Sequence, residues 1–503
     1  MRTRRFAQFA VAVALTLLLT ASLWAAGTQQ ATAAEEVPEV HIWPTMSITD
    51  PNGSNPERMR AVQEYIRSQV GVWPVGYSEP HGPEFATKMN LRLASRTQRL
   101  DIFSGGWPQY KETALPLNDL LENYGPNVLA AFSSEQWAGV TDADGTIWGV
   151  PRLGLMGHTH FTWFNEAMFD DAGLDLPDTW DEMVRAFEVI KAADPNAIML
   201  TGSVNDLRRS WAGAFTEYGY SRWLDRDGTL QPPEFQPGYR DFVATMADWY
   251  RRGWLFRENF VAHDRNEVFR AGNVAIYSGW YSGITIHLNR ILVSGALPGV
   301  DYSFTEGFSS DKGLVMTNNA SPDAAIMISR RSENPEAAMR LMNWQFDPEH
   351  PENVVTAVYG IQGEDWEWAD PNEKYFVRRL RTDPGTIYAG ELMVATGLAT
   401  DVLYAPDDPE LRRHYVHIRD YVFDLSNGKT PVDFDVTYDM SRIRNAVESF
   451  DDIQRMIDEE TVKFITGARP MAQWSQFLDE LRRIGIDQLY EEYTSDYRAA
   501  KGL

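Results

Sequence analysis

A chain of 503 residues with 44% hydrophobic content can bury more than one core, and 71 acidic against 46 basic residues leave a formal charge of −25. That balance excludes nucleic acid as a partner. A polyanion needs a basic stripe, and the densest basic runs here, Arg378 to Arg381 and Arg482 with Arg483, are short and flanked by acids.

The first residues place Arg2, Arg4 and Arg5 ahead of an apolar run and then small residues, the layout of a secretory signal peptide with candidate cleavage after Ala25, Ala26, Ala33 or Ala34. Residues 1–34 therefore read as a signal peptide and flexible N-terminus; an uncleaved anchor over residues 9–26 is the alternative. The absence of cysteine excludes disulfides, thiol catalysis, Cys-based zinc sites and a cysteine-borne lipid anchor, which predicts a free exported protein.

From Val40 to Trp43 the chain reads as a strand, followed by a Pro/Asn/Gly-rich loop at 44–56 and an amphipathic helix over 57–68. A strand at 72–79, a helix over 84–96, a strand from Leu100 to Phe103 and a loop at 104–110 continue the alternation. Such a succession predicts a mostly parallel sheet with helices on both faces. Ligands of such sheets sit beyond the carboxyl ends of the strands, where Trp43 and Trp107 fall.

Residues 141–157 read as a turn and an extended segment. A heavily punctuated helix pair follows: Asn165 caps a short helix ending at Gly173, and Thr179 with Glu182 forms a capping box ahead of Trp180, Met183, Val184, Phe187 and Ile190 at helical spacing. A helix over 236–252, a strand from Val274 to Ser278, an extended segment at 318–329 and a helix opened by Asn334 and Pro335 come next. Near the C-terminus Trp474, Phe477, Leu478 and Leu481 share one helical face before Gly485.

Taken in order, GTIWGVPRLGLMGHTHFTWFN, the stretch from Trp163 to Glu182, FRAGNVAIYSGWYS at 269–282 and SPDAAIMISRRSENPEAAMRLMNWQF at 321–346 resemble the extracellular solute-binding proteins of ABC importers, the large sugar-binding group. YGIQGEDWEW at 359–368 and the segment 461–499 are similar to a longer subgroup of oligosaccharide binders that includes alginate-binding proteins. The resemblance implies an α/β periplasmic binding protein of type II, with two lobes, each a mainly parallel sheet flanked by helices, and a ligand cleft between them. It divides the chain into residues 35–155 as the first part of lobe I, 156–316 as lobe II, 317–380 as the return to lobe I, and 381–503 as a C-terminal helical region mainly on lobe II and spanning both lobes. It further implies a monomer in the periplasm that takes an oligosaccharide to the permease subunits of an ABC transporter, with no cofactor and no catalysis.

Seventeen tryptophans suit a carbohydrate cleft, since pyranose faces stack on flat rings, although most buried rings serve packing. Trp43, Trp107, Trp280 and Tyr281 stand out because they fall in Gly- and Pro-rich loops at strand ends. Arg152 lies on the expected crossing, where its fork suits hydroxyls, a sugar carboxylate or an interlobe ion pair. The resemblance adds Trp211 and Tyr218, beside Tyr220, and Tyr359 with Glu364, the last two serving either binding or folding. With Arg152 as the one basic residue placed near the cleft, a neutral or weakly acidic oligosaccharide is favoured.

Two histidine pairs, His158 with His160 and His414 with His417, lack a third ligand for a metal. Asp142–Gly145 and Asp225–Gly228 start like calcium loops but lack the downstream Glu, so they read as hairpin turns. The alginate-binding relatives carry a calcium loop after the helix that ends here near Ala193, where this chain has only DPNAIMLTG. No nucleophile elbow, zinc helix or phosphate loop occurs. A secreted carbohydrate hydrolase remains the alternative outside the binding class, because a carboxylate dyad needs only two acids brought together by the fold; an acidic sugar, another solute or a sensor role are the alternatives within it.

Overall fold

The computed structural model describes residues 37–43, 53–78, 84–152, 154–155, 157–260, 272–281, 302–372, 374, 376–383, 385–395, 403–404 and 409–503. The expected signal peptide and flexible N-terminus at 1–34, and Phe269 of the resemblance, lie outside the described residues. No helix among the described residues is long and apolar enough to cross a membrane.

The chain opens with β1 (Glu39–Ile42), α1 (Pro56–Val70), β2 (Trp73–Gly76), α2 (Phe85–Ala94), β3 (Ile102–Gly106) and α3 (Trp107–Tyr110). Asn55 caps α1 by accepting from the backbone N–H groups of Glu57 and Arg58, and the chain leaves the helix at Gly71. The expected loop at 104–110 is instead the end of β3 and a helical turn, for which Pro108 is preorganised. Then come β4 (Val150–Pro151), β5 (Gly154–Leu155), β6 (His160–Asn165), α4 (Glu166–Asp171), α5 (Trp180–Ala193), β7 (Ile198–Thr201), α6 (Val204–Trp211), α7 (Tyr239–Arg252), β8 (Val274–Trp280) and β9 (Tyr302–Ser303). The punctuation of the helix pair is as the sequence predicts: Asn165 accepts from Met168 N–H, Gly173 takes φ 67°, and both halves of the Thr179–Glu182 capping box form.

After β10 (Ala320–Ser321) and β11 (Ala324–Ile328) come α8 (Pro335–Gln345), α9 (Glu352–Tyr359), β12 (Trp366–Trp368), β13 (Phe376–Arg379), α10 (Pro409–Phe423), α11 (Met440–Ala446), α12 (Phe450–Thr466), α13 (Trp474–Ile484) and α14 (Ile486–Lys501).

Two sheets organise these elements. One runs β2-β1-β3-β11-β4 and the other β9-β6-β8-β7. Strands β1, β2 and β3 are parallel, as are β7 and β8, whereas β11 lies antiparallel to β3 and β6 antiparallel to β8. The reversed strands are those that follow a crossing. Parallel strands end at the edge facing the other sheet, so a strand arriving from there must run the opposite way. In β11 the period of two splits the side chains: Ile326 and Ile328 face a core with Ile42, Ile66 and Leu341, while Ala325 and Met327 face Phe103, Trp43 and Met89. Both faces are covered, which is why the whole strand is buried.

The second core gathers Phe187, Trp211, Phe242 and Ile276 with Phe464, Trp474, Phe477 and Leu481 from α12 and α13. The C-terminal helices thus complete this core, and α11 packs on α3 of the first sheet. The first core extends past the expected limit at 380, because Tyr388, Leu392 and Val394 pack into it. Gln345 holds that segment by donating to Leu392 O at 2.9 Å and accepting from Val394 N–H at 2.8 Å.

Candidate functional site

The two sheets are joined by segments that are themselves hydrogen-bonded to one another. Strand β5 pairs antiparallel with β10, matching Ala320 with Leu155 and Ser321 with Gly154. A third segment, at 428–430, joins them: Asn318 N–H donates to Lys429 O at 2.9 Å and Lys429 N–H to Met316 O at 2.8 Å. The Asn318 amide donates to Leu425 O, Gly428 O and Thr430 Oγ1, and the Asn319 amide to Thr159 Oγ1. Lys429 ties this junction to the second sheet's helices by donating to Gly213 O at 2.8 Å and Thr216 O at 2.6 Å; burial draws its pKa down to about 8.

Beside the junction lies a cavity of about 560 Å³. Its apolar surface is aromatic, with Tyr220, Phe434, Tyr438, Phe450, Tyr490 and Tyr493 among the lining side chains. Its polar surface is prearranged. Arg222 donates to Asp433 Oδ2 at 2.6 Å while its guanidinium lies over the rings of Tyr438 and Tyr493, at 4.7 and 4.3 Å. Tyr438 Oη donates to the same carboxylate oxygen at 2.7 Å. Glu234, which is buried, accepts from Tyr220 Oη at 3.1 Å. Burial raises the Glu234 pKa, opposed by Arg208, which is anchored behind the wall to Ile457 O, Thr461 Oγ1 and Asp458. The lining also includes Arg209, Asn318, Asn319, Pro322 and Asp323. Flat rings beside planar donors and acceptors suit a polyhydroxylated solute with apolar ring faces.

None of the eight residues singled out from the sequence lines this cavity, whereas their neighbour Tyr220 does. Trp211 is fully buried among Trp180 and Phe308, with its indole N–H on Ser278 Oγ at 3.1 Å, and Trp43 is buried against Phe85 and Tyr77. Both are core side chains, because neighbours from other elements cover what the local sequence leaves open. Trp107 is also buried and donates to Gly139 O at 2.8 Å; its helical turn packs on α11 near the cavity. Tyr281 is buried beside Phe423, while its neighbour Trp280, at the end of β8, is 38% exposed and meets His160 edge-on at 5.7 Å. Arg152 is half-buried, and its backbone N–H donates to Ala324 O. Tyr218 is half-buried, with its N–H on Gln236 Oε1, and Tyr359 packs against the first core.

The segments that the sequence left unmarked supply most of the wall. Arg222 and Asp433 are 211 positions apart, so no local pattern announces their pairing. A trace existed in Tyr490 and Tyr493, three apart on a helix.

Among the described residues no group of three His, Asp or Glu side chains is placed to hold a metal ion. The turn after α5 is short, with Asp194 Oδ1 accepting from Asn196 N–H. His158 is fully buried between Phe161 and Tyr421, neither ring nitrogen has a partner among the described residues, and burial lowers its pKa to about 4. The unfolded chain takes up this proton below its ordinary value of 6.5, and the folded one only near 4. The contribution is therefore complete above pH 6.5 and lost as the pH falls from 6.5 to 4, by about 3 kcal/mol. His158→Leu should remove that part of the acid sensitivity. Urea unfolding at pH 7 and pH 4.5 checks this, and an undiminished loss in the variant would count against it.

Comparison with known proteins gives the arrangement its context. The profile of the bacterial extracellular solute-binding proteins matches residues 74–350, more than half of the chain. The fructooligosaccharide ABC transporter substrate-binding protein FusA of Streptococcus pneumoniae is 21% identical over 471 residues, 83% of this chain and 84% of that protein. Among solved structures, the N-glycan transport solute-binding protein NgtS of Streptococcus pneumoniae covers 92% of this chain and 98% of its own, at 15% identity and a TM-score of 0.67. An HMO-binding, ABC-transporter-associated solute-binding protein of Bifidobacterium longum infantis covers 92% and 99%, at 15% identity and a TM-score of 0.66. The shared fold is that of a type II periplasmic binding protein.

Proposed function

We propose, since the chain belongs to the bacterial extracellular solute-binding protein family, that it captures an oligosaccharide between its two sheets and delivers it to the permease subunits of an ABC importer. The observation that carries this reading is the junction cavity, whose aromatic faces and fixed carboxylates and guanidinium match the amphipathic surface of a sugar. The names of the relatives, a fructooligosaccharide binder, an N-glycan binder and an HMO binder, support the same solute class.

In this reading residues 35–155 and the return segment from 317 form one lobe, and 156–316 with most of the C-terminal helices form the other. A ligand touching both shifts the hinge equilibrium toward the closed form that a permease recognises. Trp280, exposed at the end of β8, stacks on a sugar ring. The protein works as a free monomer in the periplasm after its leader is removed, and it makes or breaks no bond.

Thermal-shift screening with neutral fructo- and manno-oligosaccharides tests the proposal. A solute that binds only the folded state adds about 2.7 kcal/mol of stability at a hundredfold excess over its Kd. A raised midpoint with the sugar recovered intact supports capture. Cleaved sugar would identify a hydrolase, and no response to any saccharide would sink the solute class.

A further inference from the structure

Asp323 sits at the turn between β10 and β11, on the cavity wall formed from the first sheet. Its backbone is pinned there, since Trp107 N–H donates to Asp323 O at 3.0 Å. Its carboxylate lies over Gly106, where an added Cβ would come within 2.6 Å of Oδ2, so the glycine makes the room that this carboxylate occupies.

The other charges around the cavity have partners within the protein. Arg222 holds Asp433, Glu234 takes the Tyr220 hydroxyl in front of Arg208, and Arg209 reaches Asn205 and Asn319. Asp323 differs. Among the described residues its own backbone amide is the one group that favours its ionised form, and burial pushes its pKa up. A half-buried carboxylate with its own backbone N–H as its one donor costs stability, and proteins retain such groups where a ligand completes them.

We propose that Asp323 is a specificity-determining residue that accepts hydroxyl hydrogen bonds from a neutral saccharide and turns away uronic and sulfated ones. The inference rests on the oligosaccharide reading above. A carboxylate is an acceptor with two oxygens, well matched to adjacent sugar hydroxyls, and such charge-assisted bonds are stronger than neutral ones. An anionic sugar would instead place like charges together in a partly dry site and leave Asp323 without its donors. That is discrimination by repulsion as well as by attraction.

Two measurements on the full-length chain test it. Without ligand, D323N and D323A should raise the thermal midpoint, since they relieve the desolvation of an unpaired carboxylate; a lowered midpoint in both would make Asp323 a structural residue and overturn the proposal. Tryptophan-fluorescence titrations then compare neutral fructo- and manno-oligosaccharides with oligogalacturonates of equal length. Wild type should favour one of the neutral series, and D323N should weaken that binding roughly tenfold to a hundredfold while narrowing the gap to the uronates. Preference of the wild type for uronates, or unchanged neutral affinity in D323N, overturns the role of Asp323 alone. If the wild type binds neither class, the oligosaccharide reading falls and this one with it.

Discussion

Asp365→Ala should lower the stability of the protein by about 3–5 kcal/mol and leave its affinity for a bound saccharide unchanged. Asp365 is buried; its Oδ2 accepts from Arg58 Nη2 at 2.5 Å and from the backbone N–H of Ile361 at 2.7 Å, and its Oδ1 forms an ion pair with Arg381 Nε at 3.1 Å. The Arg58 side chain is itself only 12% exposed, so removing the carboxylate leaves a poorly hydrated cation with the exposed Glu364, at 3.2 Å, as its remaining acidic partner. Around it the chain turns through Gly360, whose φ of 101° and ψ of −158° suit glycine, and Trp366 donates its indole N–H back to Gly360 O at 2.7 Å. The segment YGIQGEDWEW therefore serves packing, with Trp366 and Trp368 in the first core. Urea unfolding followed by circular dichroism gives the loss in stability, and fluorescence titration gives the affinity. A loss below about 1 kcal/mol would mean that the ion pairs act as exposed ones, and a loss of affinity at unchanged stability would return the segment to the binding site.

What the sequence disclosed follows from how far apart the interacting groups lie. Caps act within one turn of a helix, so Asn165, Thr179 with Glu182, and Gly173 could be placed from neighbours three or four positions away. Strand β11 was legible for a related reason, within the extended segment at 318–329, since its apolar run is bounded by polar residues, whereas β6 was not singled out. The reversal of both strands was not legible, because it depends on which edge of a sheet the chain enters from, a property of the crossing rather than of the strand. The cavity was hardest to see. Its walls bring Tyr220 and Glu234 to Asp433, Tyr438 and Tyr493, and the segment at 428–430 joins the junction through backbone hydrogen bonds that any residue can make. Ring chemistry pointed toward a sugar, but which rings face solvent is decided by distant neighbours. Trp43 ends a strand and is still covered by Phe85 and Tyr77.

Trp211 and Trp280 turn this difference into a paired experiment. Trp211 has no exposed surface, fills the second core between Trp180 and Phe308, and hydrogen-bonds Ser278 on the strand that ends at Trp280. Truncating it to alanine leaves a large void and an unpaired hydroxyl, for an expected loss of about 3–5 kcal/mol. Trp280 keeps 38% of its surface exposed and touches His160 edge-on, so Trp280→Ala should cost under about 1 kcal/mol of stability. If Trp280 stacks on a sugar, the same change should weaken saccharide binding by about 2 kcal/mol, since aromatic anchors dominate such contacts. Urea unfolding and fluorescence titration of the two variants separate these effects. A Trp280→Ala protein with wild-type affinity would move the stacking ring from the end of β8 to the cavity wall, with Tyr220 or Tyr438 as the next residues to truncate.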